Sequence, residues 1–145
     1  MPLGWSLEAL VPRPEDVSRV RILVVDDDTN HLNLLASGLR LEGFEVAAAA
    51  GADEALGHLE GGLFDVAIVD VMMPGISGLD LARRMSRDFP GVRTVLMSAY
   101  HLSERQVRLA ACGAVGFIPK PYRLEELAAY LREKAPPLPR VAAAV

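Results

Sequence analysis

The chain has 145 residues, 51% of them hydrophobic, which is enough to bury one good core but leaves no room for a second ordinary domain. Its formal net charge of −4 gives no general attraction toward nucleic acid or membranes, and a single cysteine excludes an internal disulfide. The apolar runs are too short to cross a bilayer and no secretory signal opens the chain. We therefore expect a cytoplasmic protein that contacts neither membrane nor nucleic acid directly.

Short apolar runs alternate with amphipathic segments along the chain. The runs predict strands at 21–26, 44–49, 64–70, 92–97 and 115–118. The segments predict helices at 30–42, 52–59 and 77–87, a fourth from Ser103 to Gly113, and a last one that ends near Lys134. Ser77 with Asp80, and Ser103 with Gln106, have the spacing of capping boxes at two helix starts.

Five strand and helix pairs in alternation predict an α/β fold with helices on both faces of a parallel sheet. The expected architecture is a doubly wound, five-stranded, flavodoxin-like (βα)5 domain with strand order 2-1-3-4-5. We assign residues 20–134 to this domain, 1–19 to an N-terminal extension and 135–145 to a proline-containing tail or linker.

Polar residues end or follow four of the predicted strands: Asp26 and Asp27, Asp70, Ser98, and Lys120. Strand ends of a parallel sheet meet at one edge, so these groups are expected to share a pocket. Carboxylates gathered there need a cation, and a motif without His or Cys favours Mg²⁺, with Mn²⁺ as the alternative. Asp70 is then a candidate nucleophile, with Lys120 and Ser98 placed to hold phosphoryl oxygens.

Four segments together resemble the receiver domain of bacterial two-component response regulators over about residues 20–134. They are I-L-V-V-D-D-D (22–28), D-V-A-I-V-D-V-M-M-P-G-I-S-G-L-D-L (65–81), V-L-M-S-A-Y (95–100) and G-F-I-P-K-P-Y (116–122). The resemblance implies a signalling switch in which Asp70 accepts a phosphoryl group from a histidine kinase, a phosphotransfer protein or a small phosphodonor. Such a protein is not an enzyme with turnover, although it catalyses its own phosphotransfer and slow autodephosphorylation.

The resemblance also implies roles for individual residues. Asp70 and Asp27 would bind Mg²⁺ directly, Asp26 through a water molecule, and Met72 through its backbone carbonyl. Ser98, Ala99 and Lys120 would bind the phosphoryl group, Ser98 and Phe117 would form the switch, and the Lys120–Pro121 bond would be cis. Phe117 stands where tyrosine is frequent, so switching here would rest on packing alone. Met72 and Tyr100 flank the path of an attacking water, which predicts a long-lived phospho-Asp70.

The resemblance places the output of the switch on the face made by the fourth predicted helix, the fifth strand and the last helix. We call this the output face, and its members here are Arg105, Arg108, Phe117, Tyr122 and Tyr130. Phosphorylation is expected to promote homodimerisation or docking of an effector domain or protein, whose identity the sequence leaves open.

Other interpretations stay open for the same residues. A pseudo-receiver would keep the fold as an interaction module without being phosphorylated. A haloacid-dehalogenase-type phosphatase also begins with strand-end aspartates, but Asn30 occupies the place where its first motif needs threonine. Asp28 is more simply a helix cap than a ligand, and Arg83, Arg84 and Arg87 are more simply a solvated helix face than a recognition surface.

Overall fold

The computed structural model describes residues 19–99, 103, 105–106 and 111–134. The strands are β1 (Arg21–Val25), β2 (Glu45–Ala49), β3 (Val66–Asp70), β4 (Arg93–Ser98) and β5 (Gly116–Pro119). The helices are α1 (Thr29–Leu41), α2 (Ala52–Gly61), α3 (Gly78–Asp88) and α4 (Leu124–Lys134). Helix α4 is the last helix predicted from the sequence, because most of the predicted fourth helix lies outside the described residues. So do residues 1–18 of the predicted extension and the predicted tail.

All four strand pairings are parallel, and the strands lie in the order β2-β1-β3-β4-β5. The predicted fold class and strand order are therefore confirmed, with element boundaries displaced by no more than two residues. In the register, Val25 pairs with Val69 and Ser98 pairs with Pro119. The residues that follow these strands consequently lie along one edge of the sheet.

Two apolar layers hold the helices against the sheet. Helices α1 and α4 cover one face with buried leucines, and α2 and α3 cover the other face. Side chains along β1 alternate between the two layers: Ile22 and Val24 pack in the layer of α1 and α4, and Leu23 and Val25 pack in the layer of α2 and α3. Among the described residues, none of the helices is long and apolar enough to cross a bilayer.

Side-chain caps fix the helix starts next to the site. The Asp28 carboxylate accepts hydrogen bonds from the backbone N–H groups of Asn30 and His31, so its interpretation as the cap of α1 is confirmed. Ser77 Oγ accepts from the backbone N–H of Asp80 at the start of α3. The expected reciprocal bonds between Ser103 and Gln106 are also present, at 2.8 and 3.1 Å.

The arginines of α3 form an exposed surface. Arg83 pairs with Asp80, and Arg84 and Arg87 pair with Asp88. The side chains of these three arginines are 45%, 48% and 73% exposed. They form the solvated helix face that the sequence favours, and exposed pairs of this kind contribute little to stability.

Candidate functional site

Four of the predicted site residues lie at the carboxyl edge of the sheet. Asp26 follows β1 directly and Asp70 ends β3, so the Val25–Val69 pairing makes them neighbours. Ser98 ends β4, and its backbone carbonyl accepts a hydrogen bond of 2.8 Å from the backbone N–H of Lys120, just after β5. The sheet topology thus brings together residues that lie up to 94 positions apart in the chain.

Lys120 bridges the two buried carboxylates of this edge. Its Nζ lies 2.6 Å from Asp70 Oδ2 and 3.5 Å from Asp26 Oδ2. The two aspartates are only 6% and 2% exposed. Burial opposes the charged form of Lys120, but the hydrogen bonds and charges of Asp70 and then Asp26 outweigh it and raise the pKa of Lys120. One ammonium group therefore balances part of the charge of two buried anions.

The backbone around Asp70 is held closely. The N–H of Met72 donates to Asp70 Oδ1 at 2.8 Å, and the N–H of Gly78 donates to the carbonyl of Val71 at 3.0 Å. A Cβ atom at Gly78 would lie 2.0 Å from the carbonyl oxygen of Asp70 and 2.7 Å from Val71 Cα. Only glycine fits this contact, which fixes the start of α3 against the acceptor candidate.

A chain of hydrogen bonds runs from Asp26 through His31 to Tyr122. Asp26 Oδ1 accepts from the backbone N–H of Asp28 at 2.9 Å, and Asp26 Oδ2 lies 2.5 Å from His31 Nδ1. His31 Nε2 lies 2.7 Å from the Tyr122 hydroxyl. Burial, reinforced by the negative charge of Asp26, raises the pKa of Tyr122 to about 12. The phenol therefore stays protonated at neutral pH.

The sequence interpretation missed His31 and treated the motif as free of histidine. His31 lies in the first turn of α1, four residues before the buried Leu35, and thus on the helix side that faces the sheet. The position of His31, five residues after Asp26 and four before Leu35, is the sequence signal that could have identified it. Tyr122 was expected on the output face, and the structure places its hydroxyl on His31.

The remaining predicted residues differ in burial. Asp27 and Ala99 are exposed, and the Met72 side chain lies mostly in solvent. Ser98 is buried, while Phe117 is partly buried against the layer of α2 and α3. The Lys120–Pro121 bond is cis, as the resemblance implies. Tyr100 and Arg108 lie outside the described residues.

The donor set fits a divalent cation that keeps several of its waters. Within residues 19–99, 103, 105–106 and 111–134, no three His, Cys, Asp or Glu side chains form a ready metal cluster. In the described residues, Lys120 contacts Asp70 and Asp26, and His31 contacts Asp26. Mg²⁺ needs few protein ligands, and the carboxylates of Asp26, Asp27 and Asp70 with the Met72 carbonyl are hard oxygen donors of the kind it prefers.

Comparison with known proteins shows which protein family the chain resembles. The chain matches the sequence model of the response regulator receiver domain over residues 22–132. It is 35% identical to transcriptional regulatory protein TcrA of Mycobacterium tuberculosis over 126 residues, which are 86% of this chain and 50% of that protein. It is 35% identical over 119 residues to the DNA-binding response regulator MtrA of the same organism, covering 82% of this chain and 52% of MtrA. The chain spans about half the length of the curated relatives it matches.

Solved structures show the same likeness in three dimensions. A CheY-like receiver domain protein from Methanospirillum hungatei superposes with a TM-score of 0.74 at 34% identity, over 81% of this chain and 94% of that one. The response regulator TrrA from Thermotoga maritima, solved in complex with Mg²⁺-BeF, gives a TM-score of 0.70 at 34% identity over 79% of this chain and 98% of that one. Because the sequence model matches residues 22–132, this chain belongs to the response regulator receiver domain family.

Proposed function

We propose that this chain is a Mg²⁺-dependent phosphoacceptor switch of a two-component or phosphorelay system, with Asp70 as the acceptor. The observation that carries the proposal is the buried Asp70 carboxylate, held by the Met72 N–H and paired with Lys120 at 2.6 Å. A positioned carboxylate with a cation beside it is what attack on a phosphoryl group requires, because negative charge on the phosphoryl oxygens must be neutralised. The donor would be a histidine kinase or a phosphotransfer protein.

In the proposed reaction, a carboxylate oxygen of Asp70 attacks the phosphorus atom and the bond from phosphorus to the donor nitrogen breaks. Lys120 would bind one phosphoryl oxygen. The buried Ser98 hydroxyl and the Ala99 backbone would bind the other phosphoryl oxygens. Bound Mg²⁺ would be held by Asp26 through water, by Asp27 and Asp70, and by the Met72 carbonyl, and it would supply further positive charge. Mn²⁺ would serve as the alternative ion.

The proposed output begins at Ser98 and Phe117. Ser98 ends β4, and Phe117 lies on the neighbouring β5, opposite Leu96 in the register. Rotation of the Ser98 hydroxyl toward a phosphoryl group would free room for the Phe117 ring, which can respond through packing but offers no hydroxyl. A difference of a few kcal/mol between two packings is sufficient to shift such an equilibrium. The output face would then favour a second copy of the chain or an effector.

The deciding experiment is incubation with acetyl phosphate and Mg²⁺, followed by intact mass measurement. The wild-type chain should gain the mass of one phosphoryl group, and Asp70→Asn should gain none. Asp53→Asn is the matched control, since Asp53 is an exposed aspartate in the first turn of α2, and it should behave as the wild type does. No gain in the wild type would favour the pseudo-receiver, and turnover of a generic phosphomonoester would favour the phosphatase.

The same spectra followed over time test the slow loss of the phosphoryl group. Met72 is 57% exposed and its thioether cannot orient an attacking water, so the mass gain should outlast seconds after the phosphodonor is removed. Decay within seconds contradicts this part of the proposal without affecting Asp70 as the acceptor.

A further inference from the structure

His31 joins three separate parts of the site. It belongs to the first turn of α1, its Nδ1 contacts Asp26 at the end of β1, and its Nε2 contacts Tyr122 in the β5–α4 loop. The two rings meet edge to face, with centroids 5.8 Å apart. The His31 side chain is 23% exposed and that of Asp26 only 3%, so this link lies largely inside the protein.

The positions of the hydrogen atoms between Asp26, His31 and Tyr122 follow from the chemistry of the carboxylate, the imidazole and the phenol. An ionised carboxylate only accepts hydrogen bonds, so Nδ1 must carry the hydrogen that it shares with Asp26. In the neutral imidazole, Nε2 is then the acceptor, and the protonated Tyr122 hydroxyl donates to it. The contact with Asp26 needs no positive charge on His31.

His31 and Lys120 compete for the same carboxylate oxygen. Asp26 Oδ2 is 2.5 Å from His31 Nδ1 but 3.5 Å from Lys120 Nζ, whereas Lys120 Nζ is 2.6 Å from Asp70 Oδ2. The shorter bond to His31 is the main contact of Oδ2, and the ammonium of Lys120 lies closer to Asp70 than to Asp26. Without His31, the buried Asp26 carboxylate would draw Lys120 toward itself, because a buried anion requires a partner.

We propose that His31 is a positioning residue of the phosphoryl site: it holds the Asp26 carboxylate in place and thereby keeps Lys120 on the acceptor Asp70. Tyr122 orients the imidazole from the other side. His31 touches no reacting atom and acts through Asp26, as partners of metal-site carboxylates do. This inference rests on the proposed function, since it concerns the same site.

The test compares three variants of the full chain. His31→Leu removes both polar contacts but keeps an apolar side chain of similar size, like the leucines that follow on α1. His31→Asn keeps a donor at the Nδ1 position, because its amide nitrogen lies the same number of bonds from Cα, and it gives up the contact with Tyr122. His58→Leu is the control, since His58 is an exposed histidine on α2 that packs near Phe64, outside the site.

The first measurement is the Mg²⁺ dissociation constant of the unphosphorylated chain by titration calorimetry. His31→Leu should raise it about tenfold, the low end of what loss of such a supporting contact costs. His31→Asn should stay within about threefold of the wild type, because it loses only one ordinary hydrogen bond. His58→Leu should leave the constant unchanged. The second measurement is the rate of mass gain at saturating Mg²⁺, which should fall in His31→Leu because Lys120 is displaced.

The positioning role is overturned if His31→Leu keeps the wild-type Mg²⁺ dissociation constant and the wild-type rate of mass gain. It is also overturned if His31→Leu and His31→Asn lose Mg²⁺ affinity and rate equally. If His31→Leu does not fold, His31→Phe replaces it, because it keeps a ring but also lacks both polar contacts. An unchanged dissociation constant in His31→Phe overturns the role as well. The proposed function is judged separately: a wild-type chain that binds Mg²⁺ but gains no phosphoryl mass defeats that proposal, while the dissociation constants still decide the role of His31.

Discussion

Three consecutive aspartates occupy three different environments. Asp26 is buried at the end of β1, Asp27 is exposed, and Asp28 caps α1. The chain turns from strand to helix over these three residues, so each carboxylate points in a different direction. Identical side chains thus differ in environment, because the backbone buries one, leaves one exposed and places one at the helix N-terminus.

Tyr122 carries a testable pH dependence. Burial and the charge of Asp26 raise its pKa from 10.0 to about 12, so between these values the folded state keeps a proton that the unfolded state releases. The stability from this group is fully present below pH 10 and is lost as the pH rises through about 12. An absorbance titration of the phenolate should show one step near pH 12, and Tyr122→Phe should remove that step.

The control for this titration is Tyr130→Phe, a substitution of a partly buried tyrosine on α4. It should leave the step assigned to Tyr122 in place. A step near pH 12 that survives in Tyr122→Phe would contradict the assignment of the raised pKa to Tyr122.

At the scale of elements, local sequence patterns predict the features that depend on interactions between neighbouring residues. Leucines at 32, 35 and 39 predict the buried side of α1, and Ser77 with Asp80 predicts the start of α3, because both depend on neighbours within one or two turns. The contact between His31 and Tyr122 spans 91 positions, and no local pattern encodes it. The sequence predicts that the residues at the strand ends lie close together. It does not predict the hydrogen-bond partner of each side chain, since the partner depends on how the loops pack.

Gly78 provides a prediction about how α3 supports the site. In Gly78→Ala, the three atoms nearest to the new Cβ would be backbone atoms of Asp70 and Val71, which cannot move aside as a flexible side chain could. We expect a loss of roughly 1–3 kcal/mol in the free energy of unfolding, as for overpacking of a tight contact. Phosphorylation of Asp70 should also slow, because the acceptor backbone must shift. Denaturant unfolding and the mass assay measure the two effects.

Gly57→Ala is the matched substitution. Gly57 lies inside α2, and a Cβ atom there would have nothing within 4 Å. Alanine should therefore stabilise the chain by about 0.5–1 kcal/mol through its better helix propensity. Wild-type stability in Gly78→Ala would show that the start of α3 yields easily and does not hold Asp70.

At the scale of the whole molecule, the proposed switch residues Ser98 and Phe117 lie at the β4–β5 side of the sheet. Phe117 packs with the layer of α2 and α3, whereas Tyr122 and Tyr130 pack with the layer of α1 and α4. Strand β5 has four residues and pairs with β4 in the described sheet. A movement of Ser98 and Phe117 would therefore reach the output face through one short edge strand, without rearranging the central strands.

That arrangement predicts a change of association state on activation. Light scattering of the chain with Mg²⁺ and a beryllofluoride phosphoryl mimic should show the average mass rising from monomer toward dimer. Phe117→Ala should still bind the mimic but shift less, because the aromatic that repacks the output face is gone. Leu63→Ala, a substitution of a 71% exposed side chain between α2 and β3, should dimerise as the wild type does. A monomer that stays unchanged with the mimic bound would rule out the homodimer and leave docking of an effector as the output.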